Sequence, residues 1–460
     1  MKLRNVMKYK NNKKLKILGI CILIAIIGLI ITLITVNAIK EKKEDEVALT
    51  LKDNLNTEFL SEVKVSSFIE NLNGTLTDDY IIDTTSLGTK EVKVNYKNAR
   101  GKKKHKTYEI NVVDTEKPKI FLSSSTISVK KGYSKSLTSL FLSGDNCDPN
   151  PERTIIGDYD LNTVGKYNLK FTIKDASGNE ASKDFTLKVF EPSSSSSNTT
   201  TDSTSNKNAK QFSDILAQYC EKNVKNENPS NTLLNNNSLN VNNGSLEYTN
   251  QNANDTTISS QNSANLYKEA GIDVSKWQGE IDWQKVKNAG CKFAFIRVGS
   301  QSSQNGDLNE DKYFKTNIEN AISNGIEVGV YFYSCAQNTE EAEKQAKWVM
   351  DEIKNYKVTL PIVFDWEEWA NFADFGLSFY GINKVAEAFI NACKNNGYEG
   401  MLYSSKNYLT DIWIPEMFEN IWLAQYASEP TYTKSYNFWQ MCNTGRIDGI
   451  SGDVDIDLKK

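Results

Sequence analysis

The sequence predicts a multidomain chain: a membrane-crossing helix at the N-terminus, two small all-β sandwiches in tandem, and a C-terminal domain of alternating strands and helices. Three observations predict it. A run of twenty uncharged residues lies near the start, two segments repeat at a fixed offset of 77 residues, and from Leu266 onward short apolar strands alternate with helical patterns. At 460 residues the chain has room for several folded units of roughly 100 to 200 residues each.

The first element runs from Ile17 to Val36, with Thr32 and Thr35 as its weak polar interruptions. At about 1.5 Å per residue this spans about 30 Å, one bilayer crossing. Lys2, Arg4, Lys8, Lys10, Lys13, Lys14 and Lys16 precede it without an acid, whereas Lys40 to Glu46 is mixed in sign. The positive-inside bias therefore assigns residues 1–16 to a cytoplasmic tail, 17–39 to a transmembrane signal anchor and the rest of the chain to the extracytoplasmic side. The alternative is a secretory signal cleaved after Ala38, which leaves a secreted or wall-associated protein; the apolar run exceeds the usual core of such a signal.

Residues 45–114 and 115–192 form the repeat. Asp83 matches Asp160, Gly88 matches Gly165 and Gly101 matches Gly178, and the apolar beats Val92, Val94, Tyr96, Tyr108, Ile110 and Val112 match Leu169, Phe171, Ile173, Phe185, Leu187 and Val189. Alternation at period two means strands with one buried face, and the glycine-bearing turns suit hairpins. Two antiparallel sandwiches are expected. The stretches DTEKPKI and YDLNTVGKYNLKFTIKDASGNEASKDFTLKVFE of the second copy resemble bacterial immunoglobulin-like repeats. No chemistry is visible in either copy, and a spacer role is expected of both, with an adhesive role as the alternative. Residues 193–265, rich in Ser, Thr and Asn, are expected to be a flexible linker, with one amphipathic helical pattern over 211–225.

Composition narrows the chemistry. Lys+Arg 54 against Asp+Glu 58 gives a net charge of -4, which provides no general basic surface for nucleic acid. His105 is the single histidine, so Ser-His-Asp, Cys-His and histidine–zinc chemistry have almost nothing to work with. The cysteines Cys21, Cys147, Cys220, Cys291, Cys335, Cys393 and Cys442 contain no CxxC and read as buried free thiols, with disulfides left open by an oxidising compartment. Hydrolytic chemistry here has to run on carboxylates.

Residues 266–460 carry all eight Trp and are acidic, with Lys+Arg 19 against Asp+Glu 28. The repeated strand–helix units point to a parallel barrel or a doubly wound sheet; in a barrel the strand C-termini carry the site. Several acids fall there. Asp365 and Glu367, one residue apart at the end of Pro361-Ile362-Val363-Phe364-Asp365-Trp366-Glu367, share a strand face. Asp273 has the same register on the first strand, and Asp455 sits on the last, beside the first if a barrel closes. Crowded carboxylates hold one proton near neutral pH while a neighbour stays ionised, the pair that glycoside cleavage needs. Surface acids or a calcium or magnesium site are the competing readings of such a cluster. The strand-end position, the tryptophans and the missing histidines favour the enzymatic one.

GIDVSKWQGEIDWQKVKNAGCKFAFIRVG, KYFKTNIENAISNGIEVGVYFYS, LPIVFDWEEW, IWLAQYAS, FWQM and GISGDVDID, in that order, resemble the glycoside hydrolase family 25 lysozymes over residues 266–460. The resemblance implies a modified, TIM-like α/β barrel that cuts the β-1,4 bond between N-acetylmuramic acid and N-acetylglucosamine in peptidoglycan, with retention and without a cofactor or metal. Position by position it makes Glu367 the general acid/base, Asp365 the carboxylate supporting the substrate's acetamido group, and Asp273 and Asp455 the flanking acids. Arg297, Tyr331, Tyr333, Trp422, Tyr426 and Gln440 match groove positions, Tyr331 and Tyr333 having core packing as their alternative. Met441 stands where the family often has an aromatic, a position expected to wall the groove. The expected partners are peptidoglycan glycan strands and, through the N-terminal helix, the membrane. A non-catalytic glycan-binding or adhesion protein is the alternative from another class. No wall-binding repeats follow the barrel in the sequence, so targeting is expected to rest on the anchor, the sandwiches and the linker.

Overall fold

The computed structural model describes residues 2–47, 49–122, 124–191, 241–242, 245–246, 269–302, 306–427 and 429–460. The chain divides into two compact units, Met1–Thr115 and Glu116–Lys460. Most of the expected linker, and the helical pattern over 211–225, lies outside the described residues; the short strands Val241–Asn242 and Ser245–Leu246 pair antiparallel.

The first unit opens with the helix Lys2–Val47, longer at both ends than the expected span. Its large apolar side chains from Leu15 to Ile39 are exposed, and Lys13–Lys42 is long and apolar enough to cross a membrane, a property a signal sequence shares. The β part that follows is built on the hairpin Gly88–Asn98/Lys103–Val113. Asn56–Glu58 and Gly74–Leu76 flank it, and Leu49–Leu51 pairs separately with Ile69–Leu72. Val92, Val94, Tyr96, Tyr108 and Ile110 point into one core with Leu49, Val65 and Phe68.

The second unit repeats this plan at its start. The hairpin Gly165–Lys174/Glu180–Phe190 pairs Gly165 with Val189 where the first pairs Gly88 with Val112, so the 77-residue offset holds down to hairpin register. Lys119–Phe121 and Leu142–Gly144 form the second, two-stranded sheet. Phe171 stacks on Phe141 at 4.2 Å in a core of its own. The sheets differ from the antiparallel expectation in one strand each: Asn56–Glu58 and Thr126–Lys130 add in parallel.

Glu269–Val274, Phe293–Gln301, Glu327–Ser334, Ile362–Trp366, Gly400–Ser405, Ile421–Ala424 and Phe438–Gly445 run parallel around a closed barrel, and Val454–Lys459 closes it antiparallel between its last and first neighbours. Leu308–Glu310 is a short strand added at the rim. The expected α/β barrel is corrected here: the barrel is mostly β. Among the described residues of the barrel, long helices occur at Phe314–Ser323, Thr339–Ile353 and Phe379–Asn395, while Trp283–Asn288 and Lys406–Asp411 have six residues each. Strands alone fill the stretch from Ile421 onward, where residues 425–437 carry Pro430 and no helical periodicity.

Period-two alternation sorts the side chains into two layers. Ile272, Val274, Ile296, Phe364 and Leu423 face outward into the large core beneath the helices. Phe293, Phe295, Val363, Met401, Trp422 and Phe438 fill the barrel's interior. Trp283 and Trp348, on helices, pack in and against the outer core. Gly271 faces inward where a Cβ would stand 2.5 Å from the Phe293 ring and carbonyl oxygen, so only glycine fits that level of the first strand. Gly271→Val should destabilise the chain by about 1–3 kcal/mol through overpacking, read as an earlier midpoint in denaturant followed by tryptophan fluorescence.

Candidate active site

A cleft of about 300 Å³ opens at the C-terminal ends of the parallel strands, lined by Asp273, Ser275, Trp277, Gln278, Arg297, Tyr331, Tyr333, Asp365, Glu367, Tyr403, Trp422, Tyr426, Gln440 and Asp455. All ten residues singled out in the sequence are among them. The inward alternation of each strand accounts for this. Asp273 pairs with Phe295 on one side and Asp455 on the other, and Asp365 is flanked by Tyr333 and Tyr403. Glu367 sits one residue beyond its strand, at the start of the 3₁₀ helix Glu368–Phe375, and reaches the open end.

Burial dominates the electrostatics. Asp273 and Asp365 are buried carboxyls held well above the usual carboxylate range, Asp273 by burial and then by Asp455 and Asp457, Asp365 by burial and then by Glu367, with Arg297 pulling the other way. Desolvation, with the charges of Asp455 and Glu368, pushes Glu367 up to about 7, and burial lifts Asp455 to about 6. Glu367 itself is exposed to solvent at the mouth, whereas Asp365 two residues earlier is buried. Glu367 and Asp455 therefore titrate in the range where a proton can be both held and given at neutral pH.

Hydrogen bonds fix the geometry. Gln440 Nε2 donates to Asp273 Oδ2 at 2.7 Å, while its Oε1 accepts from Tyr403 OH at 2.9 Å and Tyr426 OH at 3.1 Å. Two hydroxyl donors on one oxygen set the amide's orientation, and with it the donor aimed at Asp273. Arg297 grips buried Asp311 through Nε at 2.8 Å and Nη2 at 2.6 Å. Asp311 Oδ2 also accepts the backbone N–H of Lys276 at 3.0 Å, which ties down the turn carrying Trp277.

The aromatic roles are redistributed relative to expectation. Trp422 is 2% exposed. It stacks on Phe295 at 4.5 Å and donates Nε1 to Asp457 Oδ1 at 2.8 Å, so it forms the cleft's floor rather than an open sugar platform. Trp277, not singled out for the site, is 77% exposed on the capped turn Lys276–Gln278 and is the accessible indole of the rim. Tyr331 packs with the interior cluster and lines the cleft as well, and Tyr333 OH reaches Glu368 Oε1 at 3.4 Å. Met441 packs against the outer core, not the groove, because the inward position is taken by Gln440.

Sequence reasoning also missed Tyr403, Asp311 and Asp457. Tyr403 carried a signal, standing inward at period two from Met401. Asp457 repeats the Asp455 register one step deeper and is fully buried. Its charge acts on Asp273, and its buried Oδ2 has no hydrogen-bond partner among the described residues. The described cysteines are free thiols, buried except for exposed Cys21 and half-buried Cys147. Cys220 lies outside the described residues.

Residues 272–450 match the family model for glycosyl hydrolases family 25. Lysozyme M1 of Streptomyces globisporus is 32% identical over 202 residues, 40% of this chain and 65% of that protein. The autolytic lysozyme of Clostridium acetobutylicum is 26% identical over 190 residues, 41% of this chain and 54% of that protein. The chain thus spans about two thirds or less of these two relatives. The solved structure of a family 25 glycosyl hydrolase from Bacillus anthracis is 28% identical and covers 42% of this chain and 89% of that one, with a TM-score of 0.36.

Asp457, raised well above the carboxylate range by burial and then by Asp455, holds a proton that the unfolded chain releases above about pH 4. Its contribution to stability is complete below that pH and is lost as pH rises. Asp457→Asn keeps an oxygen for Trp422 and supplies a donor toward Asp273 without a titrating group. Its melting temperature should exceed the wild type's by roughly 2–4 °C at pH 8, with the gap closing toward pH 4. A variant less stable by the same amount at every pH would show that Asp457 is not held protonated.

Proposed function

We propose that the C-terminal barrel is an N-acetylmuramidase that cleaves the β-1,4 bond between N-acetylmuramic acid and N-acetylglucosamine in peptidoglycan, with retention. One observation carries this reading: Glu367, with its carboxyl near 7, stands at the mouth of a cleft shared with Asp365, Asp273 and Asp455. Glu367 gives its proton to the glycosidic oxygen as the bond to C1 breaks and the electron pair leaves with that oxygen. Asp365 orients the acetamido group of the same sugar, whose oxygen attacks C1 and holds the developing positive charge. Water then adds at C1 and returns a proton to Glu367, which restores the starting state. Asp273 and Asp455 keep the local potential negative around that charge. Trp277 supplies a flat apolar face for a sugar ring at the rim.

Because Glu367 has to begin protonated, the rate should fall as pH rises through about 7. Glu367→Gln in the full chain should lower release of reducing sugars from purified peptidoglycan by about 10²–10⁴-fold, with N-acetylmuramic acid at the new reducing ends of wild-type product. Equal release by both proteins would remove Glu367 from the role, and N-acetylglucosamine at the reducing end would identify the other bond as the target.

The helix Lys2–Val47 serves, in the same proposal, as a retained single-pass anchor with its N-terminus in the cytoplasm, and the two β units as immunoglobulin-like modules between anchor and enzyme. The basic flank before residue 17 and the exposed apolar side chains of the helix support this. Fractionation should find full-length protein in membranes. Protein confined to the culture fluid and starting after Ala38 would replace the anchor with a cleaved signal.

A further inference from the structure

The strand Leu142–Gly144 of the second β unit is buried at every residue. A two-stranded edge of so small a unit should alternate between covered and solvated residues. What covers its other side is the barrel. Leu142 belongs to the barrel's outer core, together with Phe372 and Phe379. A Cβ on Gly144 would lie 2.8 Å from two atoms of the Phe379 ring and 3.0 Å from the Phe372 ring, so the contact leaves no room for a side chain. Phe121 meets Phe379 edge-on at 6.3 Å, and Lys119 Nζ donates to the Asp411 carbonyl at 2.8 Å.

The polar half of the contact is equally specific. The first-turn N–H groups of a helix have no partner within it. In the helix Phe379–Asn395, Ser378 Oγ takes the N–H of Gly381 at 2.9 Å, but the N–H groups of Phe379 and Tyr380 donate to the carbonyls of Asp145 and Asn146 at 2.7 and 3.0 Å. The β unit therefore completes the cap of a barrel helix. Arg153 holds the strand leading into the accepting carbonyls in place, with Nε on Ser143 Oγ at 3.0 Å and Nη2 on the Ser143 carbonyl at 3.0 Å.

This contact leads to the site along the chain. The 3₁₀ helix Glu368–Phe375 begins at the residue after Glu367. Its Phe372 stacks on Phe379 at 5.4 Å and meets Trp366, the residue before Glu367, at 6.0 Å. Glu367 thus sits between a buried indole and a turn whose far side is closed by the β unit.

We infer that residues 116–191 are a positioning part of the enzyme rather than a spacer: docked on Phe372, Phe379 and the start of the helix Phe379–Asn395, they hold the segment that aims Glu367 into the cleft. The docking stands on contacts alone, whereas the positioning role rests on the muramidase reading. A barrel released from this face leaves two phenylalanines exposed and two helix donors unmet, and the turn after Glu367 gains freedom that catalytic geometry does not tolerate.

The test uses the full chain with Gly144→Leu, which drives a side chain into Phe379 and Phe372, and Phe121→Ala, which thins the contact without a clash. Amide exchange across 368–382 is measured with steady-state release of reducing sugars from purified peptidoglycan and its pH profile. Gly144→Leu should raise exchange at Phe379 and Tyr380 at least 100-fold, lower kcat at least 10-fold with KM within twofold, and move the alkaline limb, while the barrel's tryptophan fluorescence stays native. Phe121→Ala should shift the same readouts in the same direction by a smaller factor, and it decides the matter if Gly144→Leu does not fold. Faster exchange with kcat and the alkaline limb unchanged would overturn the positioning role. Wild-type exchange in both variants would overturn the docking itself. A wild-type chain that releases no reducing sugar would sink the muramidase reading and the positioning with it, and exchange alone would then judge the docking.

Discussion

The site depends on one constraint: several carboxyls are confined inside a closed barrel with too little positive charge to ionise them all. The antiparallel last strand is responsible. By closing against the first, it sets Asp455 opposite Asp273 and Asp457 opposite Gly271, adding two inward acids to the one already there. The cation lining the cleft, Arg297, is gripped by Asp311 and eases Asp365 only in part. Desolvation therefore outweighs attraction, and protons stay bound where solvent would have removed them. The unequal sharing follows from depth, with Asp457 fully enclosed, Asp273 and Asp365 buried, and Glu367 exposed at the opening.

Much of this was legible because strand periodicity is local. Asp365, Glu367 and Asp273 stood at inward positions of apolar runs, and the barrel interior needs only that alternation to gather them. The 77-residue repeat was equally readable, since Gly88 and Gly165 mark the same hairpin register. The limits were those of long-range geometry. Asp311 lies in a connection with no periodicity, and its value comes from Arg297, fourteen residues earlier. Trp422 and Trp277 are equivalent in composition, and only closure of the barrel decides that one becomes floor and the other rim. The parallel edge strands Asn56–Glu58 and Thr126–Lys130, like the helix-free closure after Ile421, depend on pairing partners that local sequence does not encode. Nothing in the local sequence marks the strand Leu142–Gly144 as buried at every residue, because the surface covering it lies more than two hundred residues away.

The hydrogen-bond frame separates two tasks that proximity alone would confuse. Gln440 acts on Asp273 through a single donor whose direction is set by Tyr403 and Tyr426, so those hydroxyls influence the acids without touching the reacting bond. Burial raises the Tyr403 and Tyr331 hydroxyls far above their usual range, which keeps them neutral donors throughout the working pH. A wall of neutral phenols adds no charge to a crowded cleft, whereas lysines there would favour the ionised acids and oppose retention of a proton.

Asp311 joins rim to floor. The same carboxylate oxygen receives Arg297 and the backbone N–H of Lys276, and Lys276 leads directly into Trp277. In the proposed function, a sugar ring pressing on Trp277 would bear on a turn whose anchor is the counter-ion of Arg297, the cation that partly relieves Asp365. Without Asp311 the turn would lose its tether, and Arg297 would be free to pair with Asp365 and hold that acid ionised. Recognition at the rim and proton placement at the floor thus meet in a buried carboxylate that need not touch substrate. Its own charge is tolerated because it is matched by a guanidinium and two backbone N–H groups, those of Lys276 and Tyr313.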